Sequence, residues 1–140
     1  MADIEKAGLM LLREGRILLC RKKRGSSLLI LPGGKFEPGE TATECLAREL
    51  REELGEVTAT GLQHVGTYSD RAAGDPNKTV RIELYRGELA GEPVASAEIG
   101  ELVWFGPLDD WAQLAPSLAN RILPDLIARG LLDWSRNDQG

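Results

Sequence analysis

Three glutamates share one face of a predicted helix in the first half of the chain. Glu49 lies three residues before Glu52 and four before Glu53, so at ~100° per residue all three fall within about one third of the circumference. Two carboxylates ~6 Å apart repel by about 3 kcal/mol at an effective dielectric constant of about 20, which predicts a cation among them. Clustered oxygen ligands suit Mg²⁺ or Mn²⁺. An exposed acidic helix face would have the same spacing, and spacing alone leaves both interpretations open.

The helix that carries these glutamates has sequence signals at both ends. Thr41 followed by Glu44 makes a capping box, and Gly55 is a typical residue after a helix end. We therefore predict a helix over residues 42–54. Its apolar stripe lies beside the acidic face and consists of Leu46, Leu50 and Leu54. The Gly- and Pro-rich residues 32–40 before it predict a loop.

Short aliphatic segments predict strands on both sides of this helix. Residues 6–12 and 16–20 flank the turn formers Glu14 and Gly15, which predicts a paired hairpin. Further strands are predicted at residues 57–68, 79–89 and 102–105, and a second helix at residues 117–129 with a kink or break at Pro124. Strands before and after the first helix, with another helix at the end, favour a mixed sheet between helices.

Composition narrows the classes of protein and site. A net charge of -5 and a pI near 5.0 argue against a surface that grips a nucleic-acid backbone. Cys20 and Cys45 lack metal-ligand spacing, and His64 has no serine or cysteine motif beside it, so we expect neither a thiolate metal site nor a nucleophilic triad. The size of the chain predicts one domain over residues 1–140, with residues 134–140 as a flexible tail.

No sequence feature indicates a membrane or an exported protein. No apolar run approaches the ~20 residues that a membrane helix needs. The first residues are acidic and have neither the basic nor the apolar stretch of a secretory signal, which predicts a cytoplasmic location.

Residues 34–55 resemble the Nudix box of the Nudix hydrolase superfamily, to which MutT-type enzymes belong. The positions that match at the required separations are Gly34, Glu40, Arg48, Glu49, Leu50, Glu52, Glu53 and Gly55. One position departs, because Glu56 stands where the family usually has an aliphatic residue, and the following Val57 looks like a shifted packing residue. The resemblance implies an α/β fold, namely a Nudix-type α/β/α sandwich with a mixed β-sheet.

The resemblance also implies a role for each charged residue of the box. Glu52 and Glu53 are expected to be ligands of Mg²⁺ or Mn²⁺, and Glu49 a ligand or the base that deprotonates the attacking water. Arg48 is expected to orient these carboxylates. Glu40 is expected to support the loop or a second metal ion.

Other candidates lie outside the acidic cluster. Family members often use a further glutamate, for which Glu98 and Glu101 are available here, and Glu98 is preferred as the metal ligand. Four basic residues that follow the second predicted strand, Arg21, Lys22, Lys23 and Arg24, are candidate phosphate ligands, and Arg21 is the one taken as a substrate contact. The set predicted to line the substrate site is Arg21, Gly33, Gly34, Lys35, Glu40 and Glu101.

The function implied by the resemblance is metal-dependent cleavage of a diphosphate bond in a nucleoside di- or triphosphate derivative, such as a modified nucleotide. One alternative is a pyrophosphatase of ADP-ribose, sugar nucleotides or dinucleoside polyphosphates. Another is a domain that binds nucleotides without cleaving them, although such binders commonly lose box glutamates that are present here. The expected partner is a small nucleotide-like molecule rather than a nucleic-acid polymer or a membrane, and both a monomer and a homodimer fit the sequence.

Overall fold

The computed structural model describes residues 2–134. The strands in this range are β1 (Ile4–Met10), β2 (Leu12–Arg13), β3 (Arg16–Lys22), β4 (Gly33–Lys35), β5 (Thr58–Arg71), β6 (Thr79–Ala90) and β7 (Ile99–Phe105). The α-helices are α1 (Ala42–Leu54) and α2 (Leu123–Ala128), and α2 continues a π-helical segment at Leu118–Ile122. A short 3-10 turn covers Trp111–Gln113. Within the described residues, none of the helices has both the length and the apolar character needed to span a bilayer.

The strands form two sheets. The first has the order β4-β1-β6-β5 and is mixed, because β1 and β6 run parallel while the other pairs are antiparallel. The second has the order β2-β3-β7 and is antiparallel. A mixed sheet was predicted, and the structure confirms it.

The sheets lie between two apolar cores. Along β1, Leu9 packs into the core that contains α1, whereas Met10 packs into the opposite core, because successive side chains of a strand point to opposite faces. The α1 core takes Cys45, Leu46, Leu50 and Leu54 from the helix. The opposite core takes Leu118, Ile122, Leu123 and Leu126. Helices therefore cover both faces, as the predicted α/β/α sandwich requires.

The first predicted hairpin is only partly correct. Leu12–Arg13 pairs with β3, and Glu14 and Gly15 have φ angles of 51° and 78°, as a two-residue hairpin turn with a matching twist requires. However, β1 pairs with β4 and β6 instead of β3. After Met10 the chain leaves the first sheet and enters the second. The aliphatic residues continue without interruption there, so the sequence does not indicate the change.

Both predicted helices form. Helix α1 has the predicted bounds and capping box, in which Thr41 Oγ1 accepts from the Glu44 amide at 3.2 Å and Glu44 Oε1 accepts from the Thr41 amide at 2.9 Å. In the second predicted helix, Pro124 lies in the first turn of α2, where its missing N–H is tolerated. The π-helical segment just before it is the predicted interruption.

Trp134 is buried in the opposite core, together with Leu118 and Ile122. Its indole Nε1 donates to the Gly15 carbonyl at 2.7 Å, and its ring centroid lies 6.2 Å from that of Phe105. The prediction of a flexible tail over residues 134–140 was therefore wrong at Trp134, because its apolar ring packs into the core. Residues 135–140 lie outside the described part of the chain.

Candidate active site

Arg48 is the centre of the polar network on α1. Its guanidinium makes a two-pronged contact with Glu40, at 2.7 Å from Nε and 2.9 Å from Nη2. Nη1 donates to Glu49 at 3.0 Å and lies 3.5 Å from Glu52, and Nη2 donates to the Lys35 carbonyl at 3.0 Å. The hydrogen bonds from Arg48 lower the pKa of Glu40 to about 2. One cation thus fixes three carboxylates and the loop before the helix.

Glu53 is the buried carboxylate of the site. Its side chain is inside the fold, at 8% exposure, and Oε1 accepts from the Gly33 amide at 2.9 Å. Burial raises the pKa of Glu53 to about 7 in spite of that hydrogen bond. Burial also raises the pKa of Glu49. Two neighbouring carboxylates are therefore held where water solvates their charge poorly, and a bound cation would relieve that cost.

The loop before α1 approaches these carboxylates through its glycines. Gly33 has a φ of 137°, which side chains rarely adopt, and a Cβ there would overlap the Ala7 carbonyl. A Cβ on Gly34 would overlap the Glu49 carboxylate. Gly34 thus allows the backbone to lie directly against the acidic face, and Gly33 allows it to lie against β1.

The acidic face fits a hard divalent cation by its chemistry. Glu49, Glu52 and Glu53 offer only oxygen donors, and Glu52 is largely exposed. Among residues 2–134, no three Asp, Glu, His or Cys side chains converge into a ready-made metal cage. Mg²⁺ keeps several waters and is usually bound through one or two carboxylates together with substrate phosphates. An open carboxylate set is therefore compatible with it.

A cavity of about 260 Å³ opens beside the glycine loop and is lined by both charged and apolar residues. Gly33 belongs to this lining, and its charged residues are Lys6, Lys22, Arg24, Lys35 and Asp75. Burial lowers the pKa of Lys6, the charge of Lys22 adds to this effect, and the charge of Glu53 opposes it, so the lysines and the acidic face lie within electrostatic reach of each other. The apolar walls are made by Ile4, Leu28, Ile30, Leu31, Val80, Ile82 and Leu118.

Two residues predicted separately to contact substrate bind each other instead. Arg21 Nε donates to Glu101 at 2.8 Å, and Nη2 donates to Gln113 at 3.3 Å. Neither Arg21 nor Glu101 lines the cavity, whereas the next residue, Lys22, does. Strand geometry explains this difference, because successive side chains of β3 point to opposite faces of the sheet.

Of the two glutamates considered beyond the box, Glu98 is the one coupled to the acidic face. It is exposed just before β7, and its charge contributes to the raised pKa of Glu49. Its carbonyl accepts from the Lys23 amide at 2.9 Å, which ties the segment to the end of β3. Glu101, in contrast, is engaged by Arg21.

Two cavity residues were missed by sequence reasoning. Lys6 had a signal that was not used, since it is the last charged residue before the aliphatic residues 7–12. Ser117 had no local signal. It is 4% exposed, lines the cavity, and makes no side-chain capping bond to the helical segment that it precedes.

Comparison with known proteins identifies the family. A model of the NUDIX domain matches residues 5–126. This chain belongs to the Nudix family. The Nudix chain is 38% identical to the CTP pyrophosphohydrolase of Escherichia coli K12 over 110 residues, which cover 76% of this chain and 78% of that protein. It is 30% identical to a putative 8-oxo-dGTP diphosphatase of Bacillus subtilis over 103 residues, covering 72% of this chain and 65% of that one.

Other relatives extend the comparison. This Nudix chain is 34% identical over 122 residues to the NAD-capped RNA hydrolase NudC of Pseudomonas putida, but it spans only 40% of that protein. The solution structure of the E. coli ORF135 protein superposes with a TM-score of 0.71 at 29% identity and 91% coverage of both chains. The MutT Nudix hydrolase of Burkholderia pseudomallei gives a TM-score of 0.66 at 27% identity, covering 76% of this chain and 85% of that one. The predicted family and fold are confirmed.

Proposed function

We propose that this Nudix hydrolase, which acts on phosphoanhydride bonds, cleaves a diphosphate bond in a nucleoside triphosphate with Mg²⁺ or Mn²⁺ as its metal ion. The observation that carries the proposal is that two of the three cavity lysines, Lys6 and Lys22, lie within electrostatic reach of the buried Glu53. Carboxylates suit the metal, and ammonium groups suit phosphate oxygens. A site with only one of these sets would suit either a metal or an anion, whereas both together suit a metal-bound phosphate chain.

We assign the nucleoside to the apolar walls of the cavity. Aliphatic walls suit a flat base, and Ser117 offers a hydroxyl for its polar edge. The names of two relatives, a CTP pyrophosphohydrolase and a putative 8-oxo-dGTP diphosphatase, favour triphosphates over ADP-ribose or sugar nucleotides. The relative that acts on NAD-capped RNA gives weaker support to a dinucleotide substrate, because this chain spans 40% of it.

Each residue of the acidic face has a proposed role. Glu52 and Glu53 would hold the metal, with Glu98 as a further ligand. The bound ion supplies charge neutralisation to the phosphates and acidifies nearby water. Glu49 accepts the proton of the attacking water, whose oxygen bonds to phosphorus as the phosphoanhydride P–O bond breaks. The products are a nucleoside monophosphate and pyrophosphate, and Arg48 keeps Glu49 in position.

The test is a hydrolysis panel of CTP, 8-oxo-dGTP, the common nucleoside triphosphates, ADP-ribose, a sugar nucleotide and NAD, each with Mg²⁺ and with EDTA. We expect pyrophosphate release from one or a few triphosphates, abolished by EDTA. Activity confined to ADP-ribose, sugar nucleotides or NAD would reject the triphosphate proposal. A folded protein that binds a triphosphate and hydrolyses nothing would support the alternative of a non-catalytic binding domain.

A matched pair of variants tests the role of the acidic face. Glu53→Gln removes a charge but keeps an acceptor for the Gly33 amide, so the turnover number should fall by ~10²- to 10⁴-fold while the fold persists. Glu56→Gln is the control, because Glu56 is exposed just beyond the helix end. Equal turnover in the two variants would remove Glu53 from the site.

A further inference from the structure

Lys6 belongs to a group of three ammonium ions without a carboxylate partner. It lies directly opposite Lys35 in the antiparallel β1–β4 pair, and Lys22 lines the same cavity. Like charges at directly opposed positions destabilise a sheet. Among the described ion pairs of residues 2–134, none involves these three lysines. The cavity therefore concentrates positive charge that no close ion pair within residues 2–134 holds, although Glu53 lies within electrostatic reach.

The position of Lys6 makes the free-energy cost of its charge larger than it would be at an exposed position. Lys6 is half-buried on the cavity side of β1, between Ile4 and Gly8 on the same strand face. An aliphatic residue would pack there without losing hydration of a charge. A charged residue kept at an unfavourable position is typical of a binding role, because function and stability often oppose each other.

We propose that Lys6 is a specificity-determining residue that forms, with Lys22 and Lys35, a three-lysine cradle for the pyrophosphate part of a triphosphate substrate. This inference rests on the proposed function and names the part of the substrate that these residues recognise. In this cradle the ammonium groups hold the phosphates, and the apolar walls beside them pack against the nucleoside. Three ammonium groups exceed what a monophosphate needs and suit two linked phosphates, which makes a nucleoside triphosphate the preferred substrate over a diphosphate.

The test is calorimetric titration of the whole protein with inorganic pyrophosphate and with cytidine monophosphate, both with Mg²⁺. Lys6→Met should bind pyrophosphate ~10-fold more weakly, as expected for the loss of one charge-assisted contact, and the monophosphate within about twofold of wild type. Lys6→Arg should recover most of the pyrophosphate affinity. Lys78→Met is the matched control, because Lys78 is exposed and does not line the cavity.

Thermal unfolding separates binding from a structural role. Lys6→Met should have a melting temperature equal to or above that of wild type, because it removes like-charge repulsion. Unchanged pyrophosphate affinity in Lys6→Met, or an equal loss for both ligands, would overturn the cradle. Because binding is measured without turnover, a protein that binds pyrophosphate through Lys6 but hydrolyses no nucleotide would keep this inference and reject the proposed function.

Discussion

The candidate site has two parts that are built in different ways, and we call them the acidic end and the apolar end. At the acidic end, formed by the glutamates of α1, Arg48 and Gly33 fix the carboxylates through hydrogen bonds that α1 and the preceding loop supply. At the apolar end, formed by the cavity wall, Ser117 and Leu118 come from the start of the C-terminal helical segment and line the cavity together with residues 72–74 of the loop after β5. Catalytic groups need fixed positions, whereas base preference depends on the shape of the binding surface. We therefore expect the acidic end to control turnover and the apolar end to control base preference.

Among changes that leave the charges of the site in place, the largest effect should come from adding one methyl group at the acidic end. In Gly34→Ala, the new Cβ overlaps the Glu49 carboxylate, so the turnover number should fall by ~10²-fold or more. Gly74→Ala is the control at the apolar end, where the new Cβ meets only Ser26 at 4.0 Å. Steady-state kinetics measures the turnover numbers of both variants. An equal loss in Gly74→Ala and Gly34→Ala would contradict the comparison.

A smaller loss of turnover is expected when Arg48 is replaced by lysine, which has the same charge but a different shape. Arg48→Lys cannot make the two-pronged contact with Glu40 while also reaching Glu49, so turnover should fall by about 10- to 100-fold. Arg51→Lys, on the exposed side of the same helix, is the control. Wild-type turnover in Arg48→Lys would mean that charge is sufficient to hold the carboxylates.

The same variant should change the acid stability of the fold. The pKa of Glu40 in the folded protein is about 2, below its ordinary value of 4.5, so its ionised form stabilises the fold above pH ~4.5. That contribution disappears as the pH falls from about 5 to about 2. The melting temperatures of Arg48→Lys and wild type should therefore differ more at pH 7 than at pH 2.5. A difference that grows on acidification would contradict the Glu40 pairing.

At the apolar end, the expected effect is on selectivity. Ser117→Ala removes a hydroxyl without changing the acidic face, so KM should change by about two- to tenfold and differ among bases, while the turnover number stays within about twofold. The hydrolysis panel measures both quantities for each nucleotide. A large loss of turnover with every base would show that the two ends are not separable.

The smallest effect is expected just outside the cavity. Arg21 is engaged by Glu101 and Gln113, so Arg21→Ala should leave KM for the preferred triphosphate within about twofold of wild type. Lys22→Ala provides the contrast, because Lys22 lines the cavity and its loss should raise KM. The reverse ranking would restore Arg21 as a phosphate ligand.

The same contrast explains which features the sequence could predict. Helix α1 and its acidic face follow from spacing and caps, because their determinants lie within one segment. The cavity is assembled from segments far apart in the chain, so neither Ser117 nor the pairing of Lys6 with Lys35 could be predicted from neighbours. Choosing between Arg21 and Lys22 needed the face of β3 that borders the cavity, because successive side chains of a strand point to opposite faces.

The bond between Trp134 and Gly15 links the hairpin turn near the beginning of the chain to the last described residue. Enzymatic trimming that stops after Trp134 should leave the hydrogen bond and the aromatic packing with Phe105 intact. Trimming that removes Trp134 should expose the edge of a core and free the turn at residues 14–15 to become the next cleavage site. The turn at residues 14–15 and Trp134 therefore protect each other against proteases, and digestion should proceed in an order that mass spectrometry can follow.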